Sequence, residues 1–210
     1  MCFTVNLYRH ILLGNLKLRT VSNSKKKNNS RLFTMPAYNS TFPSDPQTDR
    51  MVGNLVLLPL NTKFRGPAYQ ANSDYDIVDE CLDLFRANSF FKNFEIKTNS
   101  DRLLIYGILY INDCLNHLKQ TTSHNEAIKV LTNLALDDFS LPGTSGFPLN
   151  SVYSIPTADH NAMELLKSYL QQFRQELASR LIERIYAESQ DHPSKFWLAF
   201  TRRKFMNKSL

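Results

Sequence analysis

The sequence predicts an all-α protein of about five helices, with an extended N-terminal arm and no substantial sheet. Three observations support this class. Between residues 74 and 189, apolar side chains recur at the three- and four-residue spacing of helices. One segment, residues 100–120, is apolar on every side for two turns, so other helices must enclose it. Proline and glycine cluster before residue 72 and within residues 141–148, outside the helical segments.

The first 34 residues, the leader, differ in composition from the rest of the chain. The leader holds seven of the 25 Lys and Arg residues and none of the 19 acidic residues, so residues 35–210 carry 18 basic and 19 acidic side chains. Its composition fits a mitochondrial transit peptide, or upstream sequence translated ahead of a start at Met35. We expect the leader to be disordered or a gene-model extension, and residues 35–210 to form one helical domain.

The net charge of +6 on its own suggests binding to nucleic acid or to a membrane surface. Residues 35–210 are close to neutral, because the excess positive charge belongs to the leader, so the net charge gives little reason to expect such binding from this part of the chain. The longest apolar stretch, residues 103–111, is shorter than the roughly 20 residues of a membrane-spanning helix, so we expect no membrane insertion. The three cysteines form no C-x-x-C pair, which argues against a zinc site or a disulfide framework.

Residues 38–71 contain repeated proline and glycine and predict an irregular, extended arm. The apolar run 55–58 is closed by Pro59, so it is too short for a helix and is expected to lie across an apolar surface. Leu57 and Leu58 are therefore candidate anchors for a partner protein. The turn 90–94, with its three phenylalanines, is either a further anchor or part of the core.

The first helix is expected to begin near Asp74, with Ile77, Cys81 and Phe85 on its apolar face. Five acidic residues lie between positions 74 and 83. We interpret them as a solvated face near the positive end of the helix dipole, because a metal-binding loop of oxygen ligands would need glycine turns. The second helix, residues 100–120, has Ser100 as its expected N-cap.

Two further helices follow. Ser123 and Glu126 form a capping box at the start of the third helix. The fourth helix is long, from about residue 159 to 189, with an apolar stripe and a polar stripe. The polar stripe is expected to face solvent and consists of Gln172, Gln175, Glu176, Ser179, Arg180 and Glu183.

The last segment begins at Pro193 and Ser194, with Ser194 as the expected cap and with aromatic side chains that dock on the body. A basic cluster of four residues follows: Arg202, Arg203, Lys204 and Lys208. Three interpretations of this cluster stay open. The cations complement the negative end of a helix dipole, or dock an acidic protein partner. In the third interpretation they act with the leader to bind the phosphates of a nucleic acid.

No catalytic constellation stands out in the sequence. The histidines are isolated in loops or at helix ends, and the chain contains no H-x-x-x-H pair, no G-x-S-x-G elbow and no phosphate-binding loop. We therefore expect no enzyme activity, no catalytic or metal site, and no cofactor.

The residues assembled so far resemble a known family, the 21-kDa subunit of the actin-related protein 2/3 complex. Two of the matching motifs are Gly-Asn-Leu-Val-Leu-Leu-Pro at 53–59 and Pro-Ser-Lys-Phe-Trp at 193–197. The full set comprises residues 35–38, 53–59, 91–97, 101–106, 146–150, 169–177, 193–197 and 205–210. These stretches keep the family's order and spacing across essentially all of residues 35–210.

The resemblance implies an all-helical fold with one enclosed helix and a structural subunit without an active site. It implies binding to the actin-related protein 3 subunit and to the other members of a seven-membered complex, which supports actin nucleation and filament branching. It places the chain near the mother actin filament, in the cytoplasm and the actin cytoskeleton. ATP would bind the actin-related subunits, so the resemblance implies no cofactor for this chain. It does not extend to the leader.

Overall fold

Five α-helices are the main regular elements of the part of the chain that the computed structural model describes, residues 37–210. The helices are α1 (Ile77–Asn88), α2 (Ser100–Asn116), α3 (His124–Leu136), α4 (His160–Ile185) and α5 (Lys195–Leu198). Two 3-10 turns, Asn150–Val152 and Phe205–Asn207, follow α3 and α5. The strands β1 (Met51–Val52) and β2 (Leu55–Val56) pair as a small antiparallel hairpin. The all-α prediction is confirmed, whereas the prediction about the leader lies outside the described residues.

Helix α2 is enclosed by its neighbours, as its apolar sequence predicts. Of its 17 residues, 14 are buried, and α1, α4 and strand β2 all contact it. The ring of Tyr106 lies 6.2 Å from those of both Phe147 and Phe173. At Gly107 the approach to α1 is so close that a Cβ atom would lie 2.4 Å from the Sγ atom of Cys81. The second helix therefore forms the centre of the core.

The first turn of α2 differs from the sequence prediction. Ser100 is already inside the helix and buried, and the N-cap position belongs to Asn99, whose side chain makes no capping hydrogen bond. Asp101 instead fixes the segment that leads into the helix, because its Oδ2 atom accepts from the backbone N–H groups of Lys97 at 2.8 Å and Thr98 at 2.9 Å. The helix ends at Asn116, four residues before the predicted end.

Helix α1 corrects the interpretation of the acidic residues between 74 and 83 as a solvated face. Asp76 is 1% exposed and Glu80 is 2% exposed. Asp76 is the N-cap, and its Oδ1 atom accepts from the N–H of Val78 at 3.0 Å. Its Oδ2 atom accepts from the N–H of Asn61 in the arm at 2.7 Å. The arm covers this face, so two of the five carboxylates bind backbone groups of the same chain instead of water.

In helix α4 the predicted polar stripe faces solvent only in part, because Glu183 is exposed whereas Gln172 and Glu176 are buried. Gln172 is 3% exposed because its side chain donates to the carbonyl of Phe64 at 2.8 Å and accepts from the N–H of Ala68 at 2.9 Å. Arg180 pairs with Glu176 at 2.7 Å and with Asp76 at 2.8 Å. The helix thus holds the arm with polar groups on one side and the core with apolar groups on the other.

The third and fourth helices both begin with a side-chain N-cap. Ser123 precedes α3, and its side chain accepts from the N–H of Glu126 at 3.4 Å, in agreement with the predicted cap. Asp159 caps α4 by accepting from the N–H of Ala162 at 3.1 Å. None of the helices within residues 37–210 combines the length and apolar character needed to cross a bilayer.

Candidate partner-binding surface

The C-terminal segment packs against the end of α1 and the turn that follows it. The ring of Trp197 in α5 stacks on that of Phe85, with 6.0 Å between centroids. Phe205 meets Phe94 edge to face at 5.8 Å. These contacts fulfil the expectation that aromatic side chains of the last segment dock on the body. Ser194 occupies the N-cap position of α5, but its side chain makes no capping hydrogen bond.

A tight turn at the C-terminal end fixes the direction of the basic residues. Met206 and Asn207 have φ angles of 52° and 57°, in the left-handed region that side chains other than glycine rarely adopt. The N–H of Met206 donates to the carbonyl of Phe91 at 3.0 Å, and the neighbouring Phe205 is buried. This anchoring offsets the cost of the left-handed backbone, which is on the order of 1–2 kcal/mol per residue.

The four residues of the basic cluster, Arg202, Arg203, Lys204 and Lys208, are all exposed. Within residues 37–210, none of the four lies within ion-pair distance of a carboxylate. Surface cations without acidic partners remain available to attract a negatively charged partner. The structure therefore keeps the cluster's charge accessible and does not use it inside the domain.

Two phenylalanines, one in the turn after α1 and one in α5, are also exposed. Phe90 is 56% exposed and Phe196 is 61% exposed. The guanidinium of Arg203 lies 4.9 Å from the centroid of the Phe90 ring, within the range of a cation–π contact. We name the six residues Phe90, Phe196, Arg202, Arg203, Lys204 and Lys208 the basic–aromatic surface. Exposed aromatic rings beside arginine are typical of interface anchors.

The sequence left open whether the phenylalanines of the turn 90–94 are partner anchors or part of the core, and both locations occur. Phe94 is 8% exposed and belongs to the core, whereas Phe90 is on the surface. Phe196 and Trp197 cannot be told apart by sequence pattern, because both lie in one short aromatic segment. Successive residues of a helix point about 100° apart, so two neighbouring rings on a short surface helix need not share the same degree of burial. The larger ring, Trp197, is the buried one.

Leu57 and Leu58, predicted as partner anchors, lie inside the domain. Leu57 is 4% exposed and Leu58 is 6% exposed, and both belong to the cluster of buried apolar residues around α2. The carbonyl of Leu58 also accepts from the hydroxyl of Tyr169 at 2.8 Å. The arm lies across an apolar surface as expected, but that surface is the protein's own core.

Burial favours the neutral forms of the thiols and phenols in the core. Desolvation raises the pKa of the Cys114 thiol to about 12 and raises the pKa of Cys81 as well. The pKa values of Tyr106 and Tyr110 are also raised by burial. A reactive cysteine would need a lowered pKa to provide a thiolate near neutral pH. Neither of these thiols therefore has the character of a catalytic nucleophile.

No arrangement for metal or acid–base chemistry is present in the described part of the chain. Among residues 37–210, no group of three or more His, Cys, Asp or Glu side chains is placed to hold a metal ion. His192 contacts the hydroxyl of Ser189 at 3.2 Å, and both groups are at the surface. His117 contacts the carbonyl of Asp113 on the exposed end of α2.

Comparison with known proteins gives a consistent result over the same residues. Residues 35–210 match the sequence model of the family described as the ARP2/3 complex ARPC3 (21 kDa) subunit. The chain is 77% identical over 178 residues to a protein of Saccharomyces cerevisiae named actin-related protein 2/3 complex subunit 3. That alignment covers 84% of this chain and 100% of the relative.

Proteins with the same name from more distant organisms also match. The relative from Schizosaccharomyces pombe is 52% identical over 177 residues, covering 84% of this chain and all of the relative. The relative from Arabidopsis thaliana is 42% identical over 171 residues, covering 81% of this chain and 97% of the relative. The similarity therefore spans fungi and plants, over nearly the whole length of each relative.

Proposed function

Because the chain belongs to the family of ARP2/3 complex ARPC3 (21 kDa) subunits, we propose that it is a structural, non-catalytic subunit of the actin-related protein 2/3 complex. The observation that carries this function is the alignment with the Saccharomyces cerevisiae subunit, which covers that relative from end to end. In this role the chain supports actin nucleation and the formation of branched filaments. Its place of action is the cytoplasm, at the actin cytoskeleton.

The partners we propose are the actin-related protein 3 subunit, the other members of a seven-membered complex, and the actin filament. The basic–aromatic surface is the part of the described structure best suited to such contacts. Its four cations can pair with acidic side chains of a partner, and Phe90 and Phe196 can bury apolar area at the same time. A surface that combines both features provides steering and contact area.

A tagged copy of the full-length chain, purified from its own cells, tests this function. Mass spectrometry is expected to identify six co-purifying subunits in equal amounts, including the actin-related protein 3 subunit. A variant with Arg202, Arg203 and Lys204 all changed to Glu should retain less of these partners. The matched control changes Lys63, Lys119 and Lys129 to Glu, which places the same charge on exposed sites elsewhere. A wild-type chain that purifies alone would overturn the proposal.

We also propose that the subunit domain comprises residues 35–210, because the family match begins at Met35. Residues 1–34 then form a separate leader that takes no part in assembly. Peptide mapping of the chain within the purified complex tests this boundary. Recovery of peptides that begin at Met35 or Pro36 supports it, and a complex whose assembly requires the leader would contradict it.

Nucleic-acid binding was the alternative function suggested by the leader and residues 202–208. The relatives carry the names of actin-related subunits, which give this alternative no support. Filter binding of the full-length chain to nucleic acid provides the check. Phosphate-directed binding would weaken steeply as salt rises, and we expect no such salt-dependent retention from the domain.

A further inference from the structure

A short segment at the start of the described chain is held by buried polar side chains. We name residues 38–42 the strap. The strap forms neither helix nor strand. Asn88, which is fully buried at the end of α1, accepts from the N–H of Tyr38 at 3.0 Å and donates to its carbonyl at 2.9 Å. The strap is thereby attached to α1 at its first residue.

Two buried carboxylates hold the middle of the strap. The Oε1 atom of Glu80 accepts from the N–H of Thr41 at 2.7 Å and from its hydroxyl at 2.6 Å. Its Oε2 atom accepts from the hydroxyl of Ser40 at 2.5 Å. Asp101 of α2, which is fully buried, accepts from the N–H of Ser40 at 2.7 Å. The strap thus meets α1 and α2 mainly as a set of hydrogen-bond donors.

This arrangement depends on the strap carrying no negative charge. In their ionised forms Glu80 and Asp101 can accept hydrogen bonds but cannot donate them, and the groups that face them are N–H and hydroxyl donors. Thr41 is exposed, so its hydroxyl is near the surface although it donates inward to Glu80. An exposed hydroxyl on an irregular segment is accessible to a modifying enzyme. A modification that turned this donor into an anion would oppose both carboxylates.

We propose that Thr41 is a phosphorylation site and that phosphorylation releases the strap from α1 and α2. An ATP-dependent serine/threonine kinase supplies the group. The γ-phosphoryl group of ATP forms a P–O bond to Oγ1 of Thr41, its bond to the β-phosphate oxygen breaks, and ADP leaves. The hydroxyl proton passes to the kinase's general base. The product carries nearly two negative charges next to a carboxylate that is 2% exposed.

Release has a defined structural consequence. The Phe42 ring at the end of the strap stacks on Tyr75, with 6.2 Å between centroids. The same two rings line a groove of about 200 Å³ that also contains Leu58 and Pro59. Release of the strap therefore exposes Glu80 and Asp101 and removes the Phe42 wall of this groove. Phosphorylation at one hydroxyl would change the shape and the charge of the surface over the start of α1 and α2.

Hydrogen exchange on the full-length chain tests the proposal, with phosphothreonine placed at position 41 by genetic encoding. We expect the amide protection of Ser40 and Thr41 to fall at least tenfold in the phosphorylated chain and in Thr41→Glu. Thr41→Gln introduces a side chain of the same size as Glu but without the charge. In this variant the amide protection of Ser40 and Thr41 should fall less than threefold. Thr132→Glu, on the exposed face of α3, should leave the strap's protection unchanged.

Several outcomes would overturn the proposal. If amide protection fell equally in Thr41→Gln and Thr41→Glu, the cause would be the missing hydroxyl and not the added charge. Unchanged or increased protection would mean that a nearby cation such as Lys97 captures the phosphate and the strap stays closed. Phosphopeptide mapping of the complex, purified from its own cells with phosphatases inhibited, should also find phosphothreonine at position 41. Its consistent absence would rule out the site.

Discussion

The strap and the basic–aromatic surface use charged residues in opposite ways. Around the strap, Glu80 and Asp101 are buried, and donors from the same chain satisfy their oxygens. On the basic–aromatic surface, the cations are exposed and have no carboxylate of the described chain within reach. A buried charge contributes to the fold only while its partners are present. An exposed, unpaired charge contributes little to the fold and is free to act on another protein.

This difference indicates where a mutation should damage folding and where it should damage assembly. Buried polar groups tie the N-terminal arm to α1, α2 and α4, so their loss leaves desolvated charges without partners. The cations at the C-terminal end have no carboxylate partner in the described chain, and the one contact of theirs described above is that of Arg203 with the exposed ring of Phe90. The two regions therefore separate stability from partner binding within one domain.

Arg180→Ala is expected to have the largest effect on stability. The guanidinium pairs with Asp76 at 2.8 Å and with Asp79 at 2.7 Å, and it also donates to the carbonyl of Asn61. Removing it leaves the buried Asp76 without its cation, a change that costs roughly 3–5 kcal/mol. Urea unfolding of the full-length chain measures this loss.

Arg184→Ala is the matched control for the Arg180 variant. Arg184 is one helical turn further along α4 and pairs with Asp83 at 2.5 Å, but both side chains are much more exposed. Exposed pairs contribute about 0–1 kcal/mol. Equal losses for the two variants would show that burial does not decide the effect.

Glu80→Gln should have the second largest effect. Glutamine keeps the size of the side chain but presents an NH₂ group to the donors of the strap, so at least one hydrogen bond is replaced by a clash of donors. We expect a loss of about 1–3 kcal/mol in the free energy of unfolding. Glu183→Gln, at an exposed site on α4, should change it by less than about 0.5 kcal/mol. If Glu80→Gln left the free energy of unfolding unchanged, the strap's hydrogen bonds to Glu80 would not contribute to stability, and the contrast with the basic–aromatic surface would fail.

Alkaline pH should lower the free energy of unfolding through the buried thiol of Cys114. Burial raises the pKa of Cys114 from 9.0 to about 12. Above pH 9 the unfolded chain loses this proton first, so the stability held by the neutral thiol is complete below pH 9 and is lost as pH rises towards 12. The group adds a slope of up to about 1.4 kcal/mol per pH unit.

Cys114→Ala removes the contribution of this thiol to the slope. Urea midpoints of the wild type and the variant should therefore converge between pH 9 and 11, although the variant starts lower because of its smaller side chain. Between pH 6 and 8 the difference between the two proteins should be constant. Parallel curves over the whole range would contradict the assignment of the raised pKa to burial of Cys114.

Reversal of Arg202, Arg203 and Lys204 to Glu should have the smallest effect on stability. These side chains are exposed and unpaired within the described chain, so the free energy of unfolding should change by less than about 0.5 kcal/mol. Thermal unfolding of the full-length variant measures this change. A large drop would mean that the cluster stabilises the domain, in which case a loss of partners could not be assigned to the surface.

The sequence predicts the enclosed helix and the segments around it. Residues 103–111 contain so few polar side chains that no solvent-facing side is possible, and α2 is indeed surrounded. The capping serine at Ser123 is equally local, because its bond reaches only three residues along the chain. Features that depend on neighbours in the sequence were predictable.

The polar contacts of the arm were not predictable from periodicity. Helical spacing assigns Gln172 and Arg180 to the side of α4 away from the apolar stripe, and polar side chains on that side are expected to meet water. Their partners in the arm, Ala68 and Asn61, lie 104 and 119 residues away in sequence. Leu57 and Leu58 illustrate the same limit. A short apolar run has the same sequence pattern whether it packs against the core of its own chain or against a partner protein.

Add-back to a depleted complex tests the central claim most directly. The ARP2/3 complex is purified from cells lacking this chain, the full-length protein is added, and the density of branches on actin filaments is counted. We predict that the wild-type chain restores branching, and that the variant with Arg202, Arg203 and Lys204 changed to Glu restores much less while unfolding at the wild-type temperature. Equal branch density with both proteins, or no restoration by the wild type, would contradict the account.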